Sequence, residues 1–329
     1  MRFSYSFANL CGAVYNNGNV VFSPDGNVLY SPVGNRVTVF DLVNHSSYTL
    51  PFESRQNIAC IAISHNGRYL IAVDESGRCV FVNLRKRIVL YRSNFGISVS
   101  DIQFSPDDTY IAITHGRLMQ IWLCPTEKRH FAPMELLHEY SGHSDEIVCL
   151  SWSSDSQYVV TGSLDTTVRL WCCGKKNGSE RVLLAGHKSR LVGVYFAEED
   201  NAIYSVAKDG AVFEWHWTKN DHTDEDPKEQ EKRAQVEEAF DPDFPVSRYY
   251  DGKWKIFFKN YVEEKFSTID TCYYEPKSKL LACGFSNGIF GIYTMPSSTN
   301  IHTLSISQRS LSTCCINSTG EWYTLSPLV

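Results

Sequence analysis

Seven short stretches of this chain resemble one another at a spacing that leaves few folds open. Each is an apolar run ending in a large residue, followed by a turn rich in Ser, Pro, Asp, Asn and Gly. They are VVFSPDGN with Phe22, IAISHNGR with Ile63, IQFSPDDT with Phe104, LSWSSDSQ with Trp152, VYFAEEDN with Phe196, CYYEPKSK with Tyr274 and CINSTGEW with Ile316. Successive marker residues lie 41, 41, 48, 44, 78 and 42 apart. After each turn comes a second apolar run such as YLIAVD (69–74) or YVVTGS (158–163). A third run alternates and ends in an aromatic residue or Val, as in NRVTVF (35–40) and TVRLW (167–171). A fourth, more polar run follows, for example VLLAG (182–186).

Short alternating runs bounded by turns predict an all-β chain. Four strands in a unit of 40 to 45 residues predict the blade of a β-propeller, and seven units predict a seven-bladed ring. One four-stranded sheet cannot bury both of its faces; stacking blades around an axis buries each face against a neighbour, and closure removes the need for end caps. A single propeller over residues 1–329 is expected. The seventh blade is short at its C-terminal end, where only a first strand and room for a second remain. The N-terminal RFSYSF is a possible source of one further strand, and the chain is expected to be a truncated product, a fragment or a faulty gene model.

The long interval contains the one departure from the repeat. Residues 219–243 carry ten acidic and four basic side chains, which accounts for the whole formal charge of −6. The body is therefore neutral, and broad phosphate binding is not expected of it. The segment from about 219 to 250 reads as an acidic, mostly disordered insertion. Within it Asp226-Pro227-Lys228-Glu229 has the cap, proline and acidic residue of a short helix start. No run approaches the length of a membrane-spanning helix. Eleven scattered cysteines without a CxxC pair argue for free, buried thiols and against a disulfide framework or zinc site. Phosphate-loop, zinc-protease and esterase signatures do not occur. No cofactor, metal, membrane or small-molecule substrate is expected.

Two units carry further shared residues. Gly142-His143 is followed 22 residues after the His by Asp165 and 28 after it by Trp171. Gly186-His187 stands at the same distances from Asp209 and Trp215, and Thr161 and Ser205 each precede the Asp by four. This pattern closely resembles the WD-repeat family. The resemblance implies two hydrogen-bonded chains, Trp171 to Thr161 to His143 to Asp165 and Trp215 to Ser205 to His187 to Asp209. The chemistry agrees: an indole N–H needs an acceptor, a hydroxyl accepts and passes a proton on, a neutral imidazole has one side of each kind, and a carboxylate closes the chain. A Ser/Thr-His-Asp set also evokes a hydrolase, but here the hydroxyl sits in mid-strand, where no substrate reaches it. These residues are read as structural and the chain as no enzyme. In the other units Asn35, Ser76, Gly116 and Asn287 hold the turn position, and Phe40, Val82, Trp122 and Tyr293 the aromatic one.

Beyond the repeat, FANLCGAVY (7–15), SPVGNRVTVFDL (31–42), GRLMQIW (116–122), AKDGAVFEW (207–215), the acidic insertion after it and NSTGEW (317–322) resemble, in register, the N-terminal part of the periodic tryptophan protein 2 family. That resemblance implies a non-catalytic scaffold subunit of the nucleolar small-subunit processome. Its implied partners are other processome proteins, the U3 small nucleolar ribonucleoprotein and precursor rRNA, and its implied role supports cleavages towards 18S rRNA. The competing expectation is a WD-repeat adaptor of another complex, a ubiquitin-ligase substrate receptor or a vesicle coat. Arg55 in ESRQNI and Lys188 and Arg190 in HKSRLV, on loops entering first strands, are candidate partner contacts.

Overall fold

A computed structural model describes residues 18–125, 133–173, 181–198, 200–219, 252–262 and 267–327. Every regular element among them is a strand. The first sheet is β1 (Val21–Phe22), β2 (Val28–Val33), β3 (Arg36–Asp41) and β4 (Ser46–Thr49). The second is β5 (Ile58–Ile63), β6 (Tyr69–Asp74), β7 (Arg78–Asn83) and β8 (Ile88–Asn94). The third holds β9 (Asp101–Phe104), β10 (Tyr110–His115), β11 (Leu118–Leu123) and β12 (Leu136–Ser141). In the fourth are β13 (Ile147–Trp152), β14 (Tyr158–Ser163), β15 (Thr167–Cys172) and β16 (Arg181–Ala185). The fifth has β17 (Leu191–Phe196), β18 (Ala202–Ala207), β19 (Ala211–Lys219) and β20 (Gly252–Tyr261). The sixth comprises β21 (Ile269–Glu275), β22 (Leu280–Phe285), β23 (Ile289–Thr294) and β24 (Thr299–Ser305). A last sheet pairs β25 (Leu311–Ile316) with β26 (Tyr323–Pro327).

Neighbouring strands run antiparallel in sequence order throughout. First strands of successive sheets pack on one another, and β25 returns to β1, so the sheets form a ring with first strands inside and fourth strands at the rim. All but one of the repeat markers end a first strand, and Tyr274 is the penultimate residue of β21. The expected seventh unit is present as two strands among the described residues. The proposed N-terminal strand, the helix start at Asp226 and nearly all of the acidic insertion lie outside the described residues. β20 is the strand that follows the insertion in the chain.

Burial follows position in the ring. The second strands β6, β14, β18 and β22 are buried at every residue, because both edges are paired and both faces covered. The rim strands β4, β8 and β24 are exposed or half-buried throughout. Val168, Leu170 and Leu184 of the fourth sheet meet Leu191, Phe196 and Trp215 of the fifth. Leu280, Phe290 and Ile292 of the sixth meet Leu311, Cys314 and Ile316 of the seventh. Phe22 and Leu29 close the ring against Cys315 and Trp322. Each buried Leu, Ile or Phe contributes about 1.5–3 kcal/mol relative to exposure.

The turn after each first strand has one geometry. Gly26, Gly67, Asp108, Ser156, Asp200, Lys279 and Gly320 all have positive φ there, each donating its amide three residues back. Where the residue is not glycine, its side chain bridges blades. Asp108 accepts from the amides of His65 (2.6 Å) and Asn66 (2.9 Å). Asp200 accepts from the Ser154 amide at 2.9 Å, and the Ser156 hydroxyl accepts from Asp107 N at 3.2 Å. Ser318 donates to the Pro24 carbonyl at 3.2 Å, joining the last turn to the first.

On the opposite face, glycine sets the turn between second and third strands. Gly77 has φ +81°, its carbonyl accepts from Phe95 N, and an added Cβ would stand 2.1 Å from the Ile97 carbonyl oxygen. Replacing Gly77 by Ala is expected to destabilise the protein by more than about 2 kcal/mol in urea unfolding. Gly96 has φ +80° with nothing within 4 Å of the added Cβ, so Gly96→Ala is expected to show only the backbone strain, about 1 kcal/mol.

Candidate functional site

The residues singled out in the fourth sheet meet. The Trp171 indole N–H donates to Thr161 Oγ1 at 2.7 Å. Thr161 Oγ1 lies 2.9 Å from His143 Nε2, and His143 Nδ1 lies 3.0 Å from Asp165 Oδ2. Since the carboxylate only accepts, Nδ1 carries the proton, and Nε2 accepts from the threonine hydroxyl. Asp165 also receives the Ser144 amide (2.9 Å), the Thr167 amide (2.9 Å) and the Thr167 hydroxyl (2.6 Å). Burial acts to raise the Asp165 pKa, but the bonds from Thr167, Ser144 and His143 outweigh it and hold the carboxyl well below the usual range. Burial lowers the His143 pKa, against the pull of Asp165, so the ring is neutral at pH 7.

The fifth sheet reproduces only part of this. Trp215 donates to Ser205 Oγ at 2.8 Å, and His187 Nε2 lies 2.7 Å from the same oxygen. There the chain stops. His187 Nδ1 is buried without a partner among the described residues. Asp209 is exposed and accepts instead from the Ala211 amide at 3.2 Å. The expected bond between His187 and Asp209 is not formed. In the fourth sheet the carboxylate is anchored by the hydroxyls of Thr167 and Ser144; the fifth sheet has Ala211 and Lys188 at those places, and neither carries a hydroxyl. Stacking replaces the missing bond, with the His187 ring 4.0 Å from that of Phe213 and nearly parallel to it. Burial pushes the His187 pKa down to about 4, with Asp209 pulling weakly the other way.

Thr161 and Ser205 are fully buried and committed to indole and imidazole, so neither hydroxyl is placed for attack on a substrate. Among the described residues no three His, Cys, Asp or Glu side chains converge as a metal-holding group. All ten described cysteines are free, and burial pushes the thiols of Cys60, Cys79 and Cys124 up to about 12.

Arg55, Lys188 and Arg190 are exposed. Their loops join a fourth strand to the next first strand, so all three lie on the same face of the ring. Arg55 precedes the second sheet and Lys188 and Arg190 the fifth, which puts Arg55 across the ring from the other two.

Several structural polar residues were not singled out from the sequence. In the second sheet Asp74 accepts from Ser54 Oγ at 2.8 Å and from the Ser76 hydroxyl and amide and the Arg78 amide. The carboxylate stands two residues before the turn position assigned to Ser76, which hid it. Asn19 makes two bonds to the backbone of Ile61, and Asp101 and Gln103 clamp the backbone of Leu150 in the next sheet. Burial raises the Asp101 pKa to about 6, against the amides of Leu150 and Ile102.

Comparison with known sequences places this geometry among relatives. The family described as WD domain, G-beta repeat matches residues 134–172, which contain the complete polar chain. The chain is 39% identical to the periodic tryptophan protein 2 homolog of Neurospora crassa over 98% of its length, covering 34% of that protein. It is 39% identical to the Schizosaccharomyces pombe homolog, covering 98% of this chain and 36% of that one. For the Mus musculus homolog the identity is 36%, over 98% and 37% of the two chains. The chain therefore spans about a third of the length of the curated relatives it matches.

Two expectations follow from the unequal polar chains. Asp165→Ala leaves a buried imidazole donor and turn amides unpaired, and is expected to cost about 2–4 kcal/mol. Asp209→Ala is expected to cost under about 1 kcal/mol. Paired chemical-denaturation curves check both values. His187 is neutral in the fold with a pKa near 4, whereas the unfolded ring titrates near 6.5. Its contribution is therefore present above about pH 6.5 and lost as pH falls towards 4, by about 3 kcal/mol in total. Stability measured from pH 7.5 down to 4.5 is expected to fall less steeply in His187→Gln than in the parent chain.

Proposed function

The chain belongs to the periodic tryptophan protein 2 family, and from that membership we propose that it acts as a non-catalytic scaffold subunit of the small-subunit processome. In this reading it binds other processome proteins in the nucleolus and supports U3-dependent processing of precursor rRNA towards 18S rRNA. The observation that carries the proposal is the collinear similarity over 98% of the chain, which extends far beyond the WD-repeat residues that unrelated adaptors share. The ring adds a physical reason. Its polar residues hold turns to loops, while its faces and rim present fixed surfaces to other molecules.

The test is affinity purification of the tagged chain from its own cells, with bound proteins identified and bound RNA sequenced. Processome proteins together with U3 RNA and precursor rRNA are expected. Recovery of ubiquitin-ligase or vesicle-coat subunits in their place would overturn the proposal.

A further inference from the structure

The rim strand β20 is unlike the other rim strands. Phe257, Phe258 and Tyr261 are 62%, 50% and 58% exposed, and no other Phe, Tyr or Trp among the described residues is exposed. Three lysines, Lys253, Lys255 and Lys259, stand among them, all exposed. Residues 252–262 contain no carboxylate. A bulge between the partners of Glu214 and Trp215 leaves Phe257 unpaired. That breaks the alternation and turns two successive rings outward together. The Phe257 ring lies 4.5 Å from His216 and 4.7 Å, edge to face, from Phe258. Lys255 pairs with His216 and Lys253 with Thr218, so both lysines share the sheet face that carries these rings. Lys259 and Tyr261 belong to the opposite face, with Lys259 Nζ 5.0 Å from the centre of the Phe213 ring.

Lysines alone would be ordinary protection of an edge strand against pairing with another chain. Exposed aromatic rings have the opposite effect and need a different reason. Protein interfaces collect aromatic residues but are depleted in lysine. Aromatic rings interleaved with lysines match single-stranded nucleic acid, where bases stack on rings and point charges follow the phosphates. From Lys253 to Tyr261 the strand runs about 26 Å at roughly 3.3 Å per residue, room for several nucleotides. The neutral charge of the body outside the acidic segment makes this a local site rather than a general attraction.

We infer that β20 is a binding site for single-stranded RNA, with Phe257 and Phe258 as the stacking platform and Lys253 and Lys255 as the phosphate contacts. The inference deepens the functional reading above and rests on it for the choice of RNA.

The purified chain is titrated against a fluorescein-labelled oligouridylate of about 12 nucleotides, the scale of a small single-strand site, and anisotropy is read. Phe257→Ala with Phe258→Ala is expected to weaken binding about tenfold or more at unchanged melting temperature. Lys253→Glu with Lys255→Glu is expected to weaken it similarly and to reduce the slope of log affinity against log salt by one to two. A duplex of equal length is expected to bind more weakly. The inference is overturned if the parent chain does not bind, if either double variant binds as the parent does, or if the duplex is preferred. It is also overturned if polyglutamate binds as well as RNA and is lost with the same variants, which marks an acidic-peptide surface. The two readings fail separately. Should the phenylalanine variant recover processome proteins and RNA in full from cells, the β20 site falls and the scaffold stands. Should the parent chain recover no processome protein, the scaffold falls, and the anisotropy still decides β20.

Discussion

Each four-stranded sheet in this chain has two apolar faces, and its own strands can cover neither. Only neighbours on both sides can, which is why β6, β14, β18 and β22 are buried at every residue while β4, β8 and β24 are not. The same requirement makes the last sheet reach the first, through Cys315 and Trp322 against Phe22 and Leu29. It also explains where the repeat tolerates a long insertion. The added residues fall between β19 and β20, after the inner three strands of the fifth sheet are complete, and β18 and β19 keep the pairing seen in other sheets. Added length at that point in the chain leaves the pairing of the inner strands intact.

Face-to-face packing does not by itself fix the loops that carry the chain from one sheet to the next. Two chemistries do so here. In the fourth sheet a carboxylate in the turn, Asp165, reaches the incoming loop through His143 and the Ser144 amide. For the loop that leaves the sheet, the second, fifth and sixth sheets use a turn glycine: Gly77, Gly210 and Gly288 accept the amides of Phe95, Val262 and Ile306, while Asp74 of the second sheet also takes the Ser54 hydroxyl of the loop that enters it. The backbone route requires the loop to lie where a Cβ would be, so it excludes side chains at that position. The fourth sheet has Thr166 at that place, with φ +68°. The fifth sheet stands between the two. It keeps Trp215, Ser205 and His187 bonded but closes its turn through Gly210, and Asp209 is left to solvent.

This intermediate case shows what the sequence could and could not convey. Strand positions were legible because turn residues and apolar runs recur at intervals in the forties outside the insertion, and every marker but Tyr274 is the last residue of a first strand. The chain from Trp171 to Asp165 was legible because all four side chains are of the types the bonds require. Asp209 has the same type and spacing, yet its position depends on whether neighbours supply donors, and the change from Thr167 and Ser144 to Ala211 and Lys188 is invisible to a pattern built on four residues. Asp74 was missed for the converse reason: it performs a similar task two residues away from the expected place. The bridges from Asp108 and Asp200 to the preceding turn were missed because they join residues more than forty apart through backbone amides, which leave no mark in the partner's sequence.

The most recognisable residues of this chain are therefore the least informative about its work. A buried chain of indole, hydroxyl, imidazole and carboxylate is constrained by the ring, and any ring of this kind can use it. The fourth strands are constrained much less: one edge is unpaired, and few side chains meet a neighbouring sheet. Ordinary edge protection needs charge there and little else. Aliphatic residues are exposed singly or in pairs on other rim strands, such as Ile88 and Leu90 on β8, but the two adjacent phenylalanine rings Phe257 and Phe258 are confined to β20 and are what folding leaves unexplained there. Departures from what the fold requires are therefore the evidence for function that the molecule itself provides.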